Sequence, residues 1–600
     1  IKNSSTGQLS AQANLSSLYN KSDFLKNIER NTRPGAAQRM EKEYRTVNYS
    51  RDRVDFTAGR SRNIYHNLRT TDIKVRVFKP DGTELEGEAE AVSGNKVVFT
   101  ASEDVENARI EIEGRVEKMR NPLVVAGEYF LRALMGVRNV ALTYSADQGQ
   151  ILPGFTAEPD YLGMTRRNGV LAPGWSFITG YNDEGFFEKA RNERWISTDT
   201  LLNTAARSNR NETFSIRSTV EPFPGLRIDL TADRRFARSR SAYYRANSDG
   251  NFPDSLRNSM ISGNFSITIL SWGTAFEKIS EEDGYMSATF EKFRENTLVI
   301  SGRRAEQRAK TDPSYEPGID PETGNPLEGP YKSGYGISSG EVLIPSFLAA
   351  YSRTDPEKVS LDMFPGILSM MPNWRINFDG LSKFELVQRV FRSVNIAHQY
   401  RSTYTIGSYT TNLYYDENEN GISRIRDLNQ NFIPEYELNV VTINEQFSPL
   451  LNIDLNWKNS LTTRIEWKKS RTVSLNLANT QVADVRNNEF IIGAGYRFDD
   501  VQIILRTGGR RRPLTSDLNV RLDFSIRDNK TISRKLIENV NQPVAGQRIF
   551  AIRTTADYVL SDRFNLQLFF DHNLNDPFVA TTYTTSNTNF GFSLKFTLIQ

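Results

Sequence analysis

Residues 488–505 read NEFIIGAGYRFDDVQIIL. Every second position from Phe490 is uncharged: Phe490, Ile492, Ala494, Tyr496, Phe498. Glu489 and Arg497 fall on the other parity. Alternate side chains of a β-strand point to opposite faces, so this segment has one dry face and one charged face. The rule extends outward through the last quarter of the chain. Trp457, Trp467, Leu522, Phe524, Phe564, Leu566, Leu568, Phe570, Phe590, Phe592, Leu594, Phe596 and Leu598 lie on dry stripes. Val473, Leu475 and Leu477 continue the pattern, as do Val501, Ile503 and Leu505 beyond an expected tight turn at Asp499-Asp500. The alternate positions carry Arg464, Glu466, Arg521, Asp523, Arg527, Arg553, Asp557 and Lys595.

Two architectures share this pattern. In a soluble sandwich the dry face meets a second sheet. In a transmembrane β-barrel it meets lipid, where an Arg or Lys at mid-membrane costs roughly 2–4 kcal/mol. Aromatics at the stripe ends (Trp457, Trp467, Phe490, Phe498, Phe564, Phe570) fit a girdle at the lipid–water boundary. Runs such as Phe590 to Leu598 also reach the length of about 9–11 residues that a tilted membrane strand needs. The pattern therefore favours the barrel, with the charged parity facing a wet lumen. Shorter stripes occur earlier: Val140, Leu142, Tyr144; Leu226, Ile228, Leu230, Ala232; Ile261 to Ile269; Trp374, Ile376, Phe378. Periodicity predicts about fifteen strands in all.

Composition is consistent with this. The 600 residues average a hydropathy of −0.52, yet 11% are aromatic, which is unlike disorder. With no cysteine, disulfide scaffolds, Cys-ligated zinc, iron–sulfur clusters and thiol catalysis are excluded. Lys and Arg number 75 against 72 acidic residues, a net charge of +3 that argues against a nucleic-acid groove. Three histidines, at 66, 398 and 572, leave little for a His-based metal site or triad. No apolar run is long enough for a transmembrane helix. A start at Ile1 without a signal peptide is expected of a processed product or fragment.

The expected organisation has three parts. Residues 1–60 are mixed strand and helix, with a helix from Asn14. Residues 61–120 form a small soluble β-sandwich-like insert, carrying IKVRVF, KVVFT and ARIEIEG between turns at Asp81-Gly82 and Gly94-Asn95. Residues 121–600 supply antiparallel barrel strands, interrupted by long loops at 150–210 and 275–350. Within the second interruption, 275–296 has helical character, 305–340 reads as one proline-rich loop, and 340–351 is a short apolar helix around Pro345.

Longer stretches carry a resemblance. RNVALTYSADQGQILPGF (138–155), PNWRINFDGL (372–381), NIAHQYRSTYTIGSYTTN (395–412), ISRIRDLNQNFIPEYE (422–437), NEQFSPLLNIDLNWKNSLTTRIEWKKSRTVSLNLAN (444–479) and ADYVLSDRFNLQLFFDHNLNDPF (556–578) resemble the SprA (Sov) family, the outer-membrane translocon of the type 9 secretion system. DFTAGRSRNIYHNLRTTDIKVRV (55–77) resembles the family's soluble β insert. The likeness covers most of 120–600 in the family's order, and family members are far longer, so it implies the C-terminal portion of a larger polypeptide continuing upstream of Ile1. It also implies a very large barrel in the outer membrane of Bacteroidota that passes folded cargo bearing C-terminal sorting domains. In some members this export serves gliding motility. The expected partners are a PorV-type shuttle barrel, a periplasmic plug protein, the cargo, and outer-membrane lipid with lipopolysaccharide. No catalysis, cofactor or nucleic acid is expected. The alternatives are a nutrient receptor or transporter barrel, which would carry a plug and an energy-coupling box, and a soluble β-rich surface adhesin.

Weaker motifs read more simply as structure. Asp416, Asn418, Asn420 and Asp427 approximate a calcium loop, but the last ligand is Asp and the flanks read as strands, so an Asn/Gly-rich turn accounts for them better. His398 reads as a packed or interfacial histidine, and Glu281-Glu282 as solvated. Gly508-Gly509 before Arg510-Arg511-Arg512 lacks the Lys-Ser/Thr of a phosphate loop and reads as a basic rim.

Overall fold

The computed structural model describes residues 1–31, 44–117, 122–181, 183–252, 259–419, 421–507, 510–561, 564–578 and 583–596. The chain divides into two compact units. One is Ser17–Met135; the other joins Ile1–Ser16 to Gly136–Gln600.

The larger unit begins with β1 (Lys2–Asn14). The smaller one then contributes β2 (Tyr44–Phe56), β3 (Ser61–Tyr65), β4 (Ile73–Phe78), β5 (Gly87–Ser93), β6 (Lys96–Ala101) and β7 (Val105–Glu117). These form two three-stranded sheets, β2-β7-β4 and β3-β6-β5, around Val54, Phe56, Val97, Phe99, Ile110 and Ile112. The insert is therefore larger than the expected 61–120. Tyr44–Phe56 supplies a sheet edge, and the helices Asp23–Asn31 and Pro122–Leu134 belong to the same unit. Residues 1–14 are not a separate mixed segment, because β1 pairs with the strand that follows the insert.

The chain returns as β8 (Val137–Ile151) and a hairpin of β9 (Thr165–Arg167) and β10 (Val170–Ala172). Then come β11 (Ala206–Val220), β12 (Leu226–Ala242), β13 (Met260–Thr268), β14 (Asn373–Phe378), β15 (Phe391–Thr411) and β16 (Tyr436–Leu438). The last run is β17 (Val440–Trp457), β18 (Leu461–Asn476), β19 (Gln481–Thr507), β20 (Arg510–Lys535), β21 (Val540–Ser561), β22 (Phe564–Pro577) and β23 (Thr585–Phe596). Except for the β9–β10 hairpin, these strands and β1 build one 15-stranded antiparallel sheet of barrel-like type, in the order β1-β8-β11-β12-β13-β15-β17 and onward to β23. Among the described residues β1 and β23 are its two edges and do not pair with each other.

β13 and β14 occupy one strand line. β12 pairs with β13 through Arg234–Ser241 and with β14 through Leu226–Thr231, and β15 pairs with both. The chain leaves the sheet after Thr268, builds an excursion over 269–372, and re-enters at Asn373. The Met371 amide bonds the Thr268 carbonyl at 3.0 Å and closes the gap.

This excursion corrects two expectations. The helix runs Ala288–Thr311, starting later and ending later than 275–296, so its last turns lie inside the supposed proline-rich loop. Ser287 fixes the start, its hydroxyl accepting the Phe290 amide at 3.2 Å; Asp312-Pro313 follows the end. The apolar helix Gly340–Ser352 forms as expected, with Pro345 inside. Proline cannot bond the carbonyl four residues back, and Arg304 Nε donates to that Glu341 carbonyl at 3.3 Å instead. Both helices bury Phe290, Phe293, Ile300 and Phe347 against Phe265, Ile267, Tyr404, Ile443, Val473, Leu475 and Val482 of the sheet. The 152–205 segment is likewise packed rather than loop-like, around Leu152, Phe177, Phe186, Phe187, Trp195 and Ile196.

Asp499-Asp500 is not a turn. β19 continues through it, and a bulge sets Phe498 opposite Leu518 and Val501 opposite Ser516. The extra residue restores the dry parity for Val501, which is why the sequence pattern imitates a break.

Candidate functional site: one sheet face in two halves

Register places the dry stripes side by side. Thr463, Ala494, Leu522, Thr554, Phe570 and Phe590 are directly paired across β18 to β23. The next row is Leu461, Tyr496, Val520, Ala556, Leu568, Phe592. On the other side run Ile465, Ile492, Phe524, Ile552 and then Trp467, Phe490, Ile526, Phe550. Phe564 pairs with Phe596, and Leu566 with Leu594. These residues form one apolar band that nothing among the described residues covers: Phe590 is 80% exposed and Phe592 74%. Trp467, Tyr496, Phe498, Leu522, Phe564, Leu568, Phe570, Leu594 and Phe596 are also exposed, while Phe524 and Leu566 are half-buried. Trp457 is half-buried against Phe391, and its indole donates to Thr463 Oγ1 at 3.0 Å. Toward the other edge of the sheet, Leu142 and Leu9 are exposed as well. Leu598 lies outside the described residues.

One register row ends the band. Lys469, Asn488, Asp528, Arg548 and Asp576 pair in that order, with Arg548 Nε donating to Asp528 at 2.6 Å. Trp467, one row inside, donates its indole N–H to Asn488 at 2.6 Å. An aromatic N–H bonded at the edge of an apolar band is the arrangement expected at a lipid–water boundary.

Beyond that row the same face is covered. β19 has 27 residues, which at about 3.3 Å each is far more than a bilayer core requires. Val473, Leu475 and Val482 are fully buried under the two helices, and Ile532, opposite Asp484, is fully buried on the same face. The dry stripe at Val473 and Leu475 is therefore protein core, although its parity is that of Ile465 and Trp467.

Between band and core lies a charged network absent from the sequence reading. Arg471 and Asp484 form a buried bidentate pair at 3.0 Å, and Arg486 bonds the same carboxylate at 2.9 Å. Burial alone would raise the Asp484 pKa, but Arg471 and Arg486 outweigh it and hold the carboxyl well below its usual range. Burial pushes the nearby Glu445 carboxyl up, partly offset by hydrogen bonds from Ser271 and Tyr400. The three arginines of this region reach across to the segment 271–286. Arg471 donates to the Thr274 carbonyl at 3.1 Å, Arg486 to Glu277 at 2.7 Å, and Arg534 to Tyr285 at 2.6 Å. Arginine forks on successive strands thus tie a strap across β18, β19 and β20. The available sequence signal was Lys469, Arg471, Asp484 and Arg486 interrupting an otherwise dry parity.

The opposite face collects the other predicted set. Asp454, Arg464, Gly493, Asp523, Arg553 and Asp571 form one row of alternating sign. Glu466 is buried between Arg464 at 3.3 Å and Lys468 at 3.1 Å. Arg527 pairs with Glu489 at 2.6 Å, and Arg497 with Asp499 and Asp517. Arg521 stands opposite Gly495, Asp557 opposite Asn519, and Lys595 opposite Asn565.

The calcium-like loop is already engaged otherwise. Arg424 binds Asp416, while Asp427 accepts the Asn429 and Asn431 amides at 2.8 Å each in an Asx turn. Asn418 accepts the Ile422 amide at 3.1 Å, and Asn420 lies outside the described residues. No group of three metal-ligating side chains occurs among the described residues. His398 packs between Trp374 and Phe447 and bonds the Leu450 carbonyl at 2.6 Å. Glu281 and Glu282 are exposed. Gly508 and Gly509 lie outside the described residues.

Comparison with known proteins finds no matching family and no matching curated protein. Among solved structures, the chain is similar to one described as the structure of the RagAB peptide transporter, with 8% sequence identity and a TM-score of 0.23. That similarity covers 73% of this chain and 44% of the other, so the chain spans less than half of that protein.

Proposed function

We propose that the 15-stranded sheet is part of the wall of an outer-membrane protein translocon of the type 9 secretion system. In this reading the apolar band meets lipid and the opposite face lines a wet passage for folded cargo with C-terminal sorting domains. The observation that carries it is the two-faced register. One face holds an uncovered band bounded by a charged row, and the other holds charges of alternating sign. Alternating sign hydrates a wall without favouring cargo of either charge, unlike the single-sign ring of an ion-selective pore. A lumen wide enough for folded protein needs more strands than these, since diameter grows with strand number. The further strands would come from the same polypeptide upstream of Ile1. A PorV-type shuttle barrel and a periplasmic plug protein are the partners this reading requires. Deletion of the gene in a secreting bacterium tests it: sorting-domain cargo should accumulate in the periplasm. Cargo reaching the surface at the parental level overturns the translocon reading.

A further inference from the structure

We infer that the excursion between β13 and β14 carries a second membrane contact, a short apolar loop at 365–371 that lies in the headgroup layer beside the strand band. The inference rests on the membrane reading above.

The loop reads PGILSMM and has no charge. Leu368 is 99% exposed, and Ile367 and Met371 are also exposed. A fully exposed leucine flanked by further exposed apolar residues is disfavoured against water and favoured against lipid. Its position is fixed at both ends. Phe364 packs on Phe236 and Tyr409 with ring centroids 5.3 and 4.8 Å apart. The Pro365 carbonyl accepts from Arg234 Nε at 3.0 Å. Arg234 is the first charge above the stripe Leu226, Ile228, Leu230, Ala232, on the same face as the band. Met371 is bonded at Thr268, two residues before β14 begins with Asn373 and Trp374.

Neighbouring side chains share this level. Trp272 and Phe276 of the strap are exposed, Trp272 lies 6.4 Å from Trp374, and Lys469 Nζ lies 4.4 Å from the Phe276 ring. Lys469 belongs to the register row that ends the band and is joined through Phe447 and Tyr400 to Trp374, beside which the loop re-enters the sheet. Arg234, which holds the other end of the loop, lies further along the strands in the row of Ile267, Tyr404 and Ile443. An exposed apolar tip next to the row that ends the band, with exposed Trp272 and Phe276 alongside, matches an interfacial anchor.

The test uses the absence of cysteine from these 600 residues. Leu368→Cys, Leu568→Cys in the band and Glu328→Cys at an exposed acidic position are each spin-labelled in phospholipid vesicles, with any cysteine upstream of Ile1 replaced. Collision with oxygen, which concentrates in lipid, is compared with collision with a water-soluble nickel chelate. The expected result is a label at 368 that is shielded from nickel to an extent between labels 568 and 328. A label at 368 as open to nickel as that at 328, with 568 shielded, overturns the anchor and leaves the membrane band intact. If 568 itself is open to nickel, the band reading fails and the anchor falls with it.

Discussion

Two halves of the same strands differ in what covers them. Ile465, Trp467, Phe490 and Ile492 share a face with Val473, Leu475 and Val482 on β18 and β19. The first group faces outward and the second is sealed beneath two helices. Alternation is therefore the same in an uncovered apolar stripe and in a protein core, because both set apolar side chains on one face of the strand. What separates the halves is the interruption: Lys469, Arg471, Asp484 and Arg486 on the dry parity. A charge there is tolerable only where a partner or water meets it. The row of Lys469, Asn488, Asp528, Arg548 and Asp576 therefore records where the apolar band stops.

The sharpest way to break this comparison is Arg471→Ala. It leaves Asp484 buried without its bidentate partner, and about 3–5 kcal/mol of stability should be lost. Proteolysis should then cut the 271–286 strap while the band strands remain protected. An unchanged strap would mean that the two helices alone hold the covered half.

Truncation separates the halves next. Leu475→Ala opens a cavity in a fully buried site and should cost roughly 2–5 kcal/mol in denaturant titrations. Leu522→Ala, 46% exposed, should cost under about 1 kcal/mol in vesicles, because lipid chains refill the space. Equal costs would show that the band, too, is packed against protein.

Acid distinguishes the halves more gently. The Asp484 pKa is depressed in the folded chain, so its contribution is fully present above the ordinary carboxylate range and is lost as pH falls through and below it. Strap protection against protease should decline below about pH 5, while the uncharged band rows stay constant. Asp484→Asn should remove that pH dependence. Strap protection independent of pH in the parent chain would contradict it.

The smallest effect belongs to the charged face. Asp523→Asn should change stability by no more than about 0.5 kcal/mol, since the side chain is exposed and stands between Gly493 and Arg553 without a close ion pair among the described residues. Cargo export should also be unaffected. A large loss of export would assign the row a selective role.

By itself the sequence determined the strand parity, the chemistry of both faces and the approximate strand number, because a period of two is written locally in each run. It determined the apolar helix around Pro345 as well. It misplaced the helix Ala288–Thr311, the bulge at Asp500 and the start of the insert at 17. Each of these depends on a partner distant in the chain or on a cap that composition does not display. Only the tertiary structure decided which dry positions are covered. That outcome depends on the excursion after Thr268 folding back over β17 to β20, and on Arg471, Arg486 and Arg534 meeting carbonyls 197, 209 and 249 residues away in sequence. Contacts at that separation leave no periodic trace, so the uncovered half and the core half read alike until the chain is folded.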